Sequence, residues 1–168
     1  MSVVNLKKRK QMNILSQEIK HENRLDLAEK VSAVLSSTYV LYHKTQDLHW
    51  NVEGPLFISV HNLTESQYSD LAAAIDDLAE RVRALGAKVP VGLGRYASNA
   101  AIKDEPLDSD VQSALKQLAD DHSKIADEMR GVVAHADEMN DVYTADLLTS
   151  RIGVHEEAAW MLNATAQK

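Results

Sequence analysis

The sequence predicts an all-α protein, a four-helix bundle with a short helix in the connection between helices 2 and 3. Three observations predict it. Apolar residues recur at three- and four-residue steps through four long segments, no segment alternates with period two, and only six Gly and three Pro interrupt 168 residues. Four helices of roughly 25–30 residues with a single long connection match a bundle with one crossover.

Residues 1–22 lack clean periodicity and read as a basic N-terminal tail, leaving residues 23–168 as the bundle domain. From about Asn23 the first stripe runs Leu27, Val31, Val34, Leu35, Thr38, Leu41, Tyr42, Thr45, Leu48 and His49, and Gly54-Pro55 stops it. His49 is in phase with the apolar face and therefore points inward. A second helix is expected from Phe57 to Leu85, with Val60, Tyr68, Leu71, Ile75, Leu78 and Val82 on one face and Gly86 closing it. Residues 86–107 hold Pro90, Gly92, Gly94 and Pro106 and form the long connection, with a short helix expected at Tyr96–Ile102. Asp108 is the expected N-cap of the third helix, which carries Leu115, Leu118, His122, Ile125 and Met129. A break near Asn140-Asp141 leads to the fourth, with Leu147, Leu148, Ile152, His155 and Leu162.

Composition narrows the chemistry. Hydrophobic residues make up 45% and aromatics 5%, so the core is mainly aliphatic. Cysteine is absent, which removes disulfides, thiolate metal sites and a Cys nucleophile, and fits a reducing cytoplasm. No apolar run is long enough to span a membrane, and the basic cluster Lys7-Lys8-Arg9-Lys10 has no apolar segment after it, so it does not read as a signal peptide. The first twelve residues carry four basic groups and no acid, so with a net charge of −7 the remainder carries −11. An acidic body with a basic arm can touch a polyanion through the arm alone.

The chemistry-bearing stretch runs from His49 to Glu80. His61 and Glu65 share a helix face at i, i+4, as do Asp76 and Glu80. His49 ends the preceding helix and can stand beside His61. Glu65 and Asp76 are 11 residues apart, which is roughly 16 Å along a helix axis. Ligands of one small cation all lie within about 2.0–2.6 Å of it. Either the two halves are unrelated, or a second copy of the chain brings them together. An antiparallel two-fold pairing of the second helix, centred near Asp70-Leu71, would set each half opposite the other chain's complementary half. Ser69, Ala72, Ala73 and Ala74 there are small enough for close approach. Imidazole and carboxylate without sulfur suit iron, manganese or zinc.

The pattern His49-Trp50-Asn51-Val52-x-Gly54-Pro55-x-Phe57, then His61-x-x-x-Glu65, Asp76-x-x-Ala79-Glu80-Arg81 and Leu85-Gly86, resembles the signature of the Dps proteins (DNA-binding proteins from starved cells), which are mini-ferritins. The resemblance continues through Asp141-x-x-Thr144-x-Asp146-Leu147 and Trp160-Met161-Leu162, covering about residues 25–165. It implies a ferritin-like four-helix bundle, twelve copies in a hollow shell, and ferroxidase sites at two-fold interfaces. His49, His61 and Glu65 of one subunit would meet Asp76 and Glu80 of its neighbour. Glu65 stands where many relatives carry Asp. The implied reaction is oxidation of Fe(II), preferentially by hydrogen peroxide, with ferric mineral stored inside; zinc or manganese can occupy such a ligand set. Trp50 is a candidate sacrificial electron donor or an ordinary interface aromatic.

By the same resemblance Asp141 and Asp146 are candidates for acids lining an iron-entry pore, against a plainer reading as helix cap and first-turn acid; Ser150 stands where some relatives have a further Asp. Lys7, Lys8, Arg9 and Lys10 are candidate DNA contacts, against a reading as a solubilising or shell-packed tail. His122 and His155 each lack a spaced partner and read as structural. Glu18-Ile19-Lys20-His21 matches a Glu-x-x-His pattern but precedes the bundle, and Gly92-x-Gly94 lacks the strand that a dinucleotide-binding turn requires. The sequence thus favours an iron-oxidising and iron-storing mini-ferritin. The alternatives are a nucleoid protein acting mainly through its arm and a metal-free structural bundle.

Overall fold

A computed structural model describes residues 21–167. The basic arm, with Lys7, Lys8, Arg9 and Lys10, lies outside the described residues. Five helices follow in order: α1 (His21–Asn51), α2 (Phe57–Ala84), the short α3 (Leu93–Asn99), α4 (Val111–Glu138) and α5 (Val142–Thr165). No strand occurs among the described residues. The all-α bundle with a short crossover helix stands as expected.

The helices form two hairpins, α1 with α2 and α4 with α5. The hairpins join mainly through α1 and α4, whereas α2 and α5 meet sparsely. Leu27, Leu35, Leu41, Leu71, Leu78, Leu115, Leu118, Ile125, Met129, Leu148 and Leu162 are fully enclosed between them. Burying each such side chain contributes about 1.5–3 kcal/mol. α1 also buries Ser36, Thr38 and Thr45, which is possible because each hydroxyl donates to the carbonyl four residues earlier, at 2.8 Å.

The helix ends show where local chemistry overrides a first reading. Leu85 is the C-cap of α2, and Gly86, at φ +98°, turns the chain out of the helix as expected. The short helix starts at Leu93 rather than Tyr96, because Gly92 at φ +113° supplies the turn that launches it. It ends at Asn99, where Ala100 becomes extended. At the next helix Asp108 forms a local turn by accepting from the Asp110 amide at 2.8 Å, so Asp110 becomes the N-cap and accepts from the Ser113 amide at 2.9 Å. The α4–α5 turn is made by Asn140 in the left-handed region at φ +57° and by Asp141, which caps α5 through the Thr144 amide at 3.0 Å.

The long connection is fastened by polar contacts. Ser37 donates to Glu128 at 2.7 Å and accepts from the Ala101 amide at 2.9 Å, tying α1, α4 and the connection at one point. Burial raises the Glu128 carboxyl above the ordinary range, with the Ser37 hydrogen bond opposing it. Lys44 bridges the Lys103 carbonyl at 3.3 Å and Asp121 at 2.5 Å. Tyr96 stacks on Tyr39 with centroids 4.3 Å apart and donates to the Pro90 carbonyl at 2.7 Å.

Candidate metal centre

The corner between α1 and α2 brings two imidazoles together. His49 closes the last turn of α1, His61 stands in the second turn of α2, and the rings stack with centroids 3.8 Å apart and planes 17° from parallel. Each holds the other's backbone. His49 Nδ1 lies 2.9 Å from the His61 carbonyl, and His61 Nδ1 lies 3.0 Å from the His49 carbonyl. A carbonyl oxygen only accepts, so both Nδ1 atoms carry hydrogen and the neutral tautomer leaves a lone pair on each Nε2. These are the atoms free to bind a cation, oriented by the second-nitrogen hydrogen bonds that commonly hold metal-binding histidines. Phe57 stacks against His61 at 5.1 Å and Tyr68 meets His49 edge-on at 5.1 Å, so neither ring is free to swing away.

Glu65 lies one turn beyond His61 on α2. The buried face of α2 is Val60, Thr64, Gln67, Leu71, Ala74, Leu78 and Val82. At 100° per residue, Glu65, Ser69, Ala72, Asp76 and Glu80 share the opposite face, and all five are exposed. Three carboxylates thus lie on an open stripe with small residues at its middle. Among the described residues, no group of three or more His, Cys, Asp or Glu in one subunit could hold a metal ion. The fold joins His49 to His61 and leaves Asp76 and Glu80 apart from them, farther along α2.

The remaining candidates separate. Trp50 is 66% exposed beside the site. Asp146 is exposed, but Asp141 is buried and both its oxygens are engaged: Oδ1 accepts from Arg81 and the Thr144 amide, and Oδ2 accepts from Arg81 at 2.5 Å. The capping reading of Asp141 is therefore what its side chain does, and Arg81, which also faces the Tyr143 ring at 5.1 Å, balances its charge.

His122 and His155, read from sequence as solitary, are partners. Their Nδ1 atoms face each other at 2.9 Å, 33 residues apart in the chain, from α4 and α5. Arg151, one turn before His155, binds Asp70 of α2 through both carboxylate oxygens at 2.9 and 2.6 Å. The only sequence signal for the pair is that both histidines are in phase with apolar faces.

The comparisons with known proteins agree with this architecture. The Ferritin model, for the ferritin-like domain, matches residues 28–168, which defines the class. A Nostoc protein named as an uncharacterized low temperature-induced protein is 38% identical over 85% of this chain and 81% of its own length. A DNA protection during starvation protein from Porphyromonas gingivalis is 31% identical over 89% of this chain and 94% of its own. The Dps protein of Vibrio cholerae O1, described as a member of a broad superfamily of ferritin-like diiron-carboxylate proteins, superposes with a TM-score of 0.83 at 32% identity, covering 87% of this chain and 92% of that one. Within the ferritin-like class, the chain belongs to the Dps family.

The His122–His155 pair makes stability depend on pH. Burial pushes His122 down to about 3, helped by His155 and Arg151 and opposed by Asp70; burial and then Arg151 push His155 down to about 3. The unfolded chain protonates near the ordinary value of about 6.5, where the folded protein does not. Stability is therefore present above that pH and is lost as pH falls toward 3, by up to about 1.4 kcal/mol per pH unit for each imidazole. Urea titrations between about pH 7 and 5 measure the slope. His122→Leu combined with His155→Leu flattens it, and an unchanged slope in that variant contradicts the assignment.

Proposed function

We propose that this protein is a mini-ferritin that binds Fe(II) as substrate between two-fold related subunits, oxidises it and stores the ferric product inside a shell of twelve copies. The observation that carries the reading is the reciprocal His49–His61 pairing, which engages both Nδ1 atoms and leaves the two Nε2 atoms as the nitrogens available to a metal at the end of the carboxylate stripe. Glu65 joins them from its own subunit, and Asp76 and Glu80 come from the neighbour. Neutral imidazoles bind Fe(II) without adding charge, and the anionic carboxylates favour Fe(III). Glu65 reaches one methylene farther than the Asp common among relatives and keeps the same donor chemistry.

Hydrogen peroxide is the preferred oxidant in this reading. Two Fe(II), one peroxide and two waters give two FeOOH and four protons. Placing both electrons on one peroxide avoids release of hydroxyl radical, and exposed Trp50 stands beside His49 as a donor for a stray oxidising equivalent. Asp146, exposed where Asp141 is not, is the more available acid for a pore that concentrates cations. The absence of cysteine supports a cytoplasmic setting, and among the described residues no helix is long and apolar enough to cross a membrane.

Anaerobic Fe(II) titration followed by peroxide should give rapid ferric absorbance. His61→Ala with Asp76→Ala should slow it by about tenfold or more, since loss of even an outer-shell partner of a metal ligand costs about 10–100-fold. Normal oxidation by that double variant would sink the proposed site.

A second reading, binding of DNA phosphates, is favoured by the charge of the arm, +4 against −11 for the rest, and by the DNA-protection name of the Porphyromonas relative. Twelve such arms on one shell would add weak contacts by avidity. A gel shift at low and moderate salt tests it: deletion of residues 1–12 should abolish the shift, whereas equal binding by both proteins excludes the arm as the main contact.

A further inference from the structure

Among the described residues, six buried side-chain polar atoms have no hydrogen-bond partner. One, His135 Nε2, lies 2.5 Å from an Asp26 carboxylate oxygen. The other five belong to Gln67, His122, Arg151 and His155. Gln67 stands one turn before Asp70 on α2, Asp70 is bridged to Arg151 on α5, and Arg151 stands one turn before His155, which meets His122 of α4. Gln67, His122 and His155 are 7%, 2% and 1% exposed. Asp70, Arg151, His155 and His122 thus form one polar seam joining α2, α4 and α5, where α2 and α5 otherwise meet sparsely, and Gln67 stands one turn from its α2 end.

We propose that this seam is an internal binding site for small neutral hydrogen-bonding molecules, namely resident waters, with separate positions at the two ends of the His122–His155 bridge. The donor set defines the ligand. With the two Nδ1 atoms facing each other, one ring donates and the other accepts, so one Nε2 is a lone pair and the other an N–H. The two Nε2 atoms lie on the outer sides of the rings, so one molecule cannot serve both. Gln67 adds one acceptor and one donor group, and Arg151 Nε adds a donor. A ligand that both donates and accepts satisfies this mixture. A metal cation does not, because both Asp70 oxygens are held by Arg151 and the guanidinium repels it. An anion does not, because Asp70 neutralises Arg151 and one Nε2 presents a lone pair. Leaving five buried polar atoms dry would cost the fold more than ordering water there, since each would forfeit its hydration without return. The waters would hold α2, which carries Glu65, Asp76 and Glu80, to the α4–α5 hairpin.

Two measurements test the site on the assembled protein. High-resolution diffraction should show a metal-free density peak within about 2.7–3.2 Å of each Nε2. Both Nε2 atoms packed only against carbon, or an anomalous metal signal in the seam, would overturn the proposal. Gln67→Met has nearly the same shape but makes no hydrogen bond. It should lower Tm by about 2 °C or more if the amide is satisfied by water. An unchanged or raised Tm, expected if the amide is dry, would overturn the proposal as well.

Discussion

The proposed chemistry depends on a pair of hydrogen bonds at the α1–α2 corner. By donating Nδ1–H to each other's carbonyls, His49 and His61 fix the tautomer of both rings, hold them face to face and join the end of one helix to the second turn of the next. The bonds stabilise the corner and expose the nitrogens in one stroke. Rotating either ring would break its hydrogen bond to the facing backbone, a net loss of about 0.5–1.5 kcal/mol. Phe57 stacks on the His61 ring and Tyr68 meets the His49 ring edge-on. In the proposed site the imidazole half is therefore preorganised before any cation arrives.

A rigid helix sets the second constraint. α2 is unbroken from Phe57 to Ala84, so Asp76 and Glu80 cannot approach the imidazoles of their own subunit. Its carboxylates are on the face opposite the core, and the middle of that face is lined by Ser69 and Ala72. Small exposed residues between two incomplete ligand sets are what a close two-fold contact requires. In this account catalysis is a property of the assembly, and whatever holds α2 in place tunes it. From the α5 side, the Arg151–Asp70 bridge and the Arg81 contacts to Asp141 and Thr144 do so.

Much of this was legible in the sequence because it is local. Helical phase placed His49 on the inward face, Gly54-Pro55 set the corner, and i, i+4 spacing put His61 with Glu65 and Asp76 with Glu80. Gly86 closed α2 where expected. The misread boundaries came from backbone chemistry at single residues: Gly92 launches α3 three residues early, and Asp108 hands the cap of α4 to Asp110. What sequence could not show is long-range pairing. Nothing near His122 names His155, nothing near Arg81 names Asp141, and nothing near Asp70 names Arg151, since each pair spans different helices and is chosen by packing. The Nδ1–carbonyl bonds belong to the same class, because a backbone acceptor leaves no trace in residue identity.

The central claim, that each site is built from two subunits, can be tested by mixing complementary lesions. His61→Ala damages one half of every site, and Asp76→Ala with Glu80→Ala damages the other. Shells made from either variant alone should oxidise Fe(II) poorly. In shells co-assembled from equal amounts of both, half of the two-fold interfaces pair unlike subunits, and each of those contains one fully intact site and one with both lesions. Activity should recover to about a quarter of the unmodified level. No recovery in shells shown to contain both variants would contradict a shared site and return all five ligands to the problem of a single chain.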